Sequence, residues 1–165
     1  MKHDEKRAQP DFFDEIGLRT DWRWLKDARF GLALLAGVVF WLVLLGLGAT
    51  HAVLGWSVLF SLVLMQPVIE ELLFRGLLQG QVLQLAWGRW QWGGFTSANL
   101  AVSVVFVTLH FMTHPPFWAL GVLLPSLLFG YFRDRHRSVY PSMALHVFYN
   151  AGYFLLPLAQ VYIQV

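Results

Sequence analysis

Two adjacent glutamates, Glu70 and Glu71, precede Arg75 inside a long apolar stretch of the sequence. Between Arg29 and Arg89 these three are the only Asp, Glu, Lys or Arg residues. Because a charged group inside a membrane segment is costly, its presence there indicates a function and a polar partner. The spacing of Glu71 and Arg75, four residues with the acid first, predicts an ion pair on one face of a helix. Glu70 lies about 100° away from Glu71 around that helix, so it does not pair with Arg75. Two neighbouring carboxylates in unequal environments allow one to be structural while the other acts as a base.

Polar side chains recur in two later apolar segments. His110 lies near the end of one of them, and His146 and Asn150 lie four residues apart in the last one. Every such group needs a polar partner in lipid, so we predict that these residues and the glutamates converge around one water-filled pocket. Counted along its helix, His110 lies about 20 Å into its span and His146 about 9 Å, so a tilt or a later helix start must bring them together.

Three kinds of chemistry are open to this set of groups. In hydrolysis, Glu70 and His110 take a proton from water while His146 and Asn150 donate to the oxyanion. In a zinc site, two Glu and two His ligands activate water, although neither His-Glu-x-x-His nor Glu-x-x-His occurs. In proton or ion translocation the same groups form a pathway, but no inverted repeat typical of transporters is present. A purely structural buried ion network is the remaining alternative.

The composition indicates a membrane protein. Of the 165 residues, 57% are hydrophobic and 13% are charged, whereas about a quarter of the residues in soluble domains are charged. The length predicts a single domain. The absence of cysteine excludes disulfides, thiol nucleophiles and thiolate metal sites. No serine lies in Gly-x-Ser-x-Gly, so we expect the serines to bond backbone carbonyls or to pack helices closely. No feature predicts a cofactor or a nucleic-acid partner.

The order of apolar segments predicts an all-α, polytopic transmembrane helical bundle. About five spans are expected, at residues 30–48, 52–69, 97–112, 117–132 and 140–159. Residues 72–92 end in three tryptophans and are predicted to be an additional amphipathic segment at the membrane interface. Pro67 either begins a fresh helix or kinks a continuing one. Gly76 and Gly80 form a small-xxx-small pair, which predicts close packing of the glutamate helix against a neighbouring helix.

Basic residues predict the orientation and the division of the chain. Residues 1–29 contain seven of the twelve Lys and Arg residues and are predicted to be a polar cytoplasmic tail. Residues 30–165 are predicted to be the integral membrane domain. With the N-terminus inside, about five crossings place every Lys and Arg except Arg75 on the cytoplasmic side, as the positive-inside rule prefers. The glutamates then lie nearer to the cytoplasmic face.

Three motifs follow one another on successive apolar segments: Glu70-Glu71-x-x-x-Arg75, Phe106-x-x-x-His110 and His146-x-x-x-Asn150. They resemble the signatures of the CAAX protease and bacteriocin-processing enzyme family. Its members, which include the Ras-converting CAAX prenyl endopeptidase, are also called glutamic-type intramembrane proteases or Abi proteins. The resemblance covers a motif core at residues 67–150, roughly half of the chain.

The resemblance implies a metal-independent endopeptidase in which Glu70 and His110 activate water while His146 and Asn150 stabilise the oxyanion. The other charged residues of the first motif then support the site: Glu71 and Arg75. The implied partners are the lipid bilayer and a membrane-attached substrate, cut near its C-terminus, that is lipidated or bears a sorting signal. The implied location is a bacterial inner membrane. The alternatives are a non-catalytic bacteriocin-immunity or scaffold protein of the same fold and a metal-dependent hydrolase.

Overall fold

The computed structural model describes residues 11–19, 22–48 and 54–163, with only the backbone for residues 158–163. Within these ranges the regular structure is helical apart from one short hairpin, so the predicted all-α fold is confirmed. The helices are α1 (Phe12–Glu15), α2 (Ala28–Gly46), α3 (Trp56–Phe60), α4 (Gln66–Glu71), α5 (Gln79–Gln84), α6 (Ser97–His110), α7 (Pro116–Gly121), α8 (Leu123–His136) and α9 (Tyr140–Ile163). Two 3₁₀ turns lie at Arg23–Lys26 and Trp87–Arg89.

The three short helices after α2 join into one long helix. We call residues 56–84 the long helix: it contains α3, α4 and α5, separated by π-helical segments at Ser61–Met65 and Leu72–Leu78. Pro67 lies in the first turn of α4, and the helix continues through it, so the proline does not start a separate helix. π-Helical turns are rare and occur often at functional sites. Here they flank the segment that carries both glutamates.

The long helix leads into a tight hairpin. Strands β1 (Gln91–Trp92) and β2 (Phe95–Thr96) pair antiparallel, with Gln91 opposite Thr96. The connecting Gly93 and Gly94 both have positive φ angles, as a two-residue turn of type I′ requires. The three tryptophans of this region are exposed: Trp87, Trp90 and Trp92. Indole rings exposed in this way suit the membrane interface.

Three helices of the described chain are long and apolar enough to cross a membrane: Ala28–Gly46, Trp56–Val82 and Pro116–His136, which combines α7 and α8. α6 is apolar but has only 14 residues. α9 has 24 residues and coincides with the last predicted span. Four of the five predicted spans coincide with apolar helical stretches. The second differs, because its helix does not end near residue 69 but continues through most of the segment predicted separately at residues 72–92. Three of the five stretches have the length and hydropathy of a membrane helix.

α9 lies at the centre of the bundle, because it packs against α2, the long helix and α8. The contact with α2 is close at Gly152, where a Cβ atom would lie 1.8 Å from the Trp41 ring. Tyr149 adds a hydrogen bond from its hydroxyl to the Ala33 carbonyl, 2.8 Å long. A buried apolar cluster fills the space between α2, α8 and α9: Trp24, Phe30, Ala33, Phe129, Phe132 and Leu145.

The N-terminal segment, residues 11–19, packs against the bundle rather than extending from it. Ile16 is buried, and the Gly17 carbonyl accepts a hydrogen bond of 2.9 Å from the Val139 amide. The Arg133 guanidinium donates from Nη2 to the Glu15 carbonyl at 2.5 Å. Residues 1–10 and 20–21 of the predicted tail lie outside the described residues.

The small residues of the long helix face this segment. A Cβ atom on Gly80 would lie 2.7 Å from the Glu15 carbonyl oxygen, and one on Gly76 would lie 3.3 Å from the Ile16 carbonyl oxygen. The predicted close contact at Gly76 and Gly80 is therefore present, and its partner is the backbone at the end of α1, at Glu15 and Ile16. The N-terminal backbone occupies that place because only a side chain as small as hydrogen leaves room for it.

Candidate active site

A cavity with a volume of about 980 Å³ lies between α2, the long helix, α6, α8 and α9. Four predicted site residues line it: Glu70, His110, His146 and Asn150. Much of the remaining wall is aromatic, with Phe40, Trp41, Trp118 and Phe154 among its residues. The structure therefore brings together the four residues that the sequence pattern singled out, and their chemical roles remain predictions.

His146 is held by a carboxylate behind it. Its Nδ1 atom lies 2.9 Å from Glu71 Oε1, and its Nε2 atom lies 3.9 Å from Glu70 Oε2. Because an ionised carboxylate can only accept, Nδ1 carries the proton and donates a hydrogen bond to Glu71 Oε1. The Phe129 ring stacks on the imidazole with a centroid distance of 4.7 Å. These two contacts direct Nε2 towards Glu70, whose side chain is 31% exposed and so accessible from the cavity.

Arg75 fixes the other end of Glu71. Both side chains are fully buried, and Arg75 Nε faces Glu71 Oε2 at 3.6 Å, so the predicted i,i+4 ion pair is present. Nη1 donates to Gln79 Oε1 at 3.2 Å and to Ser103 Oγ at 3.5 Å, and Nη2 donates to Ser126 Oγ at 2.6 Å. Residues of the long helix, α6 and α8 thus hold one guanidinium. Breaking a buried pair of this kind costs about 3–5 kcal/mol, because the remaining charge loses its partner.

His110 is oriented by its own helix. Its Nδ1 atom lies 2.8 Å from the Phe106 carbonyl oxygen, one turn earlier in α6. A carbonyl oxygen can only accept, so Nδ1 carries the proton and the lone pair of the neutral ring is on Nε2. The His114 ring, which also lines the cavity, stacks on His110 with a centroid distance of 5.5 Å. A neutral His110 ring therefore has Nε2, and not Nδ1, free to accept a hydrogen bond.

Asn150 is positioned by the first π-helical segment. Its Nδ2 atom donates to the Leu62 carbonyl at 2.9 Å, and Leu62 also lines the cavity. Because only the amide nitrogen can donate to a carbonyl, this bond fixes which end of the amide faces Leu62. An amide nitrogen has two N–H groups, so one remains for a further acceptor.

In the part of the chain that the structure describes, no three His, Asp or Glu side chains are grouped as ligands to a metal ion. The zinc chemistry left open by the sequence therefore has no ligand cluster among those residues.

Sequence reasoning missed the polar residues around Arg75. Ser103 and Ser126 accept hydrogen bonds from a side chain, whereas backbone bonds or close packing were expected; Ser142, which donates to the Phe129 carbonyl at 2.7 Å, fits the expectation. Gln79 lies four residues after Arg75, and this spacing was the one local signal that could have identified it.

The fold and the cavity define a class of protein: a helical integral membrane protein whose acid and imidazole groups meet inside the bundle. The particular family follows from comparison with known proteins. Residues 52–152 match the family described as Rce1-like, type II CAAX prenyl endopeptidase. This match spans more than half of the 165 residues, so the chain belongs to that family, as the three motifs implied. No curated protein and no solved structure matches the chain.

Proposed function

We propose that the chain is an intramembrane endopeptidase in which Glu70 and His110 activate a water molecule and His146 and Asn150 stabilise the oxyanion. The observation that carries the proposal is that these four side chains, from three separate helices, line one cavity. The match to Rce1-like endopeptidases supports the reaction class.

The hydrogen-bond geometry supports a specific division of roles. Glu70 takes a proton from water, assisted by the Nε2 lone pair of His110, and the water oxygen attacks the scissile carbonyl carbon. The oxyanion accepts hydrogen bonds from His146 Nε2–H and from the second N–H of Asn150. When the C–N bond breaks, the proton held by Glu70 passes to the leaving amine.

This scheme requires His146 to donate from both ring nitrogens. The ring is then an imidazolium, and its Nδ1–H donates to Glu71. The buried carboxylate compensates the positive charge that faces the oxyanion, while Arg75 prevents Glu71 from turning away. Glu71 and Arg75 accordingly support the site without lining the cavity.

The substrate we propose is a membrane-attached protein, lipidated or bearing a C-terminal sorting signal, that is cut near its C-terminus. The aromatic and apolar residues of the cavity wall suit such a substrate, because they can cover its apolar part while the polar groups face the peptide bond. We place the protein in a bacterial inner membrane with the N-terminus in the cytoplasm, in keeping with the distribution of its basic residues.

A reconstituted system tests the proposal. Purified protein in lipid nanodiscs is mixed with three fluorogenic peptides: a farnesylated CAAX peptide, its unlipidated form, and a peptide with a C-terminal membrane sorting signal. We expect cleavage of at least one membrane-bound peptide by the wild type and loss of cleavage in Glu70→Ala and in His110→Ala. Wild-type cleavage rates in both variants would overturn the mechanism. Peptide binding without cleavage, retained in Glu70→Gln, would indicate the non-catalytic alternative.

A further inference from the structure

Asp134, near the end of α8, joins three parts of the bundle outside the cavity. Its Oδ1 atom accepts from Gln79 Nε2 at 2.7 Å, and its Oδ2 atom accepts from Thr96 Oγ1 at 2.6 Å. Thr96 is the N-cap of α6, and its hydroxyl oxygen accepts from the Asn99 amide at 3.0 Å. One carboxylate therefore ties α8 to the long helix and to the start of α6.

Asp134 also fixes the orientation of the Gln79 amide. Gln79 is fully buried, and its Nε2 donates both to Asp134 and to the Gly130 carbonyl at 3.0 Å. The Asp134 carboxylate and the Gly130 carbonyl can only accept. If the Gln79 amide were flipped, its Oε1 atom would face these two acceptor oxygens and neither hydrogen bond could form. Gln79 Oε1 must then point to Arg75 Nη1, which it meets at 3.2 Å. Flipping would instead bring an amide N–H₂ against the guanidinium.

A chain of polar contacts thus leads from Asp134 through Gln79 and Arg75 to Glu71 and His146. Its Arg75–Glu71 step is an ion pair of 3.6 Å without a hydrogen bond. The contacts of Asp134 with Gln79 and of Gln79 with Arg75 hold the guanidinium so that its Nε atom faces Glu71 Oε2. Glu71 Oε1 is then left to accept from His146. Without an acceptor at Gln79, Arg75 would lose one of its fixed partners and would turn towards Glu71. Arg75 would then compete with His146 for the Glu71 carboxylate oxygens, and the hydrogen bond that orients the imidazole would weaken.

We propose that Gln79 and Asp134 are positioning residues that act through Arg75 and Glu71 to orient His146, an inference that rests on the proposed function. Neither residue lines the cavity, so neither contacts the substrate. Their loss should therefore reduce kcat and leave KM unchanged.

The variants separate positioning from simple helix packing. Gln79→Met keeps a side chain of similar size but removes both the oxygen that accepts from Arg75 and the nitrogen that donates to Asp134. Asp134→Ala removes the acceptor, whereas Asp134→Asn can still accept from Gln79 through Oδ1. Ser138→Ala is the matched control, because Ser138 is also buried and its hydroxyl accepts from the Tyr140 amide, away from the cavity and from this polar chain.

We expect Gln79→Met and Asp134→Ala to lower kcat at least tenfold with KM within twofold of wild type. The kcat of Asp134→Asn should be at least threefold higher than that of Asp134→Ala, and Ser138→Ala should keep the wild-type kcat. Unchanged kcat in Gln79→Met, or equal losses in the two Asp134 variants, would overturn the inference.

A second readout does not need cleavage. The rate at which diethyl pyrocarbonate modifies His146, measured by mass spectrometry, reports how firmly Glu71 holds the ring. We expect at least threefold faster modification of His146 in Gln79→Met and Asp134→Ala, with His114 unchanged as the internal reference. Unchanged modification of His146 in both variants would refute the positioning role. If the wild type cleaves no peptide, the proposed function fails, and this measurement still decides the inference.

Discussion

Gly130→Ala should damage the polar network around Arg75 by a steric clash. A Cβ atom at Gly130 would lie 1.9 Å from Asn99 Oδ1, 2.4 Å from Asn99 Cγ and 3.0 Å from Arg75 Nη1. Asn99 is fully buried, donates to the Leu127 carbonyl at 3.0 Å and accepts from Ser103 Oγ at 3.1 Å. The methyl group can be accommodated only if the Asn99 amide moves out of both hydrogen bonds.

The magnitude follows from opposing terms. Two buried hydrogen bonds are lost, and each partner left unsatisfied costs about 1–3 kcal/mol. In the opposite direction, alanine is about 1 kcal/mol more favourable than glycine in the interior of a helix. The steric term dominates, so Gly130→Ala should destabilise the protein by about 1–5 kcal/mol. Because Arg75 Nη1 is also displaced, kcat should fall together with stability.

The assay is unfolding of the purified protein in mixed micelles with increasing fractions of dodecyl sulfate, followed by circular dichroism. Gly31→Ala on α2 is the matched control, because a Cβ atom there meets nothing within 4 Å. We expect Gly31→Ala to unfold at the wild-type fraction or later and Gly130→Ala to unfold clearly earlier. Equal stability of Gly130→Ala and the wild type would refute the proposed packing of Asn99 against α8.

Three further predictions concern the charges and the N-terminal segment. Glu71→Gln keeps an oxygen that can accept from the His146 imidazole but loses the charge-assisted hydrogen bond, which is worth about 1.5–3 kcal/mol. Steady-state kinetics should therefore show a kcat about ten- to hundredfold lower than that of the wild type, with KM unchanged. Gly80→Val should displace residues 11–19, since even a Cβ atom would lie 2.7 Å from the Glu15 carbonyl oxygen, and hydrogen exchange of that segment should become faster. The Arg135 guanidinium holds the pKa of Asp27 below its usual range. This contact should therefore stabilise the protein above about pH 4 and lose its effect as the pH falls through the lowered pKa, so the melting temperatures of wild type and Asp27→Asn should converge there.

The cavity residues could be predicted because their signals are local. The i,i+4 spacing of Glu71 and Arg75 and the apolar segments around His110 and His146 are visible in the sequence alone. The sequence predicted that His110 and His146 lie at different depths along their helices unless α6 began late or was tilted. α6 begins at Ser97, so a late start is not the explanation. Both side chains nevertheless line the same cavity, and the packing of whole helices decides this.

The supporting network could not be predicted because it depends on which helices are neighbours. Arg75 meets Ser126 across 51 positions of sequence, and Arg133 bridges the Arg75 carbonyl to the N-terminal segment. A short polar segment with mixed charges also carries no periodicity that would predict its packing against Gly76 and Gly80. These contacts follow from the tertiary arrangement rather than from local propensity.

The central claim is that Glu70 activates a water molecule in a cavity shared with two histidines. The most direct test measures kcat for cleavage of a membrane-bound peptide by wild type, Glu70→Gln and Asp14→Asn, the last being an exposed acid-to-amide control. We expect Glu70→Gln to lower kcat by about 10²–10⁴-fold, as loss of a general base does, and Asp14→Asn to stay within twofold of wild type. Equal kcat values for wild type and Glu70→Gln would contradict the claim.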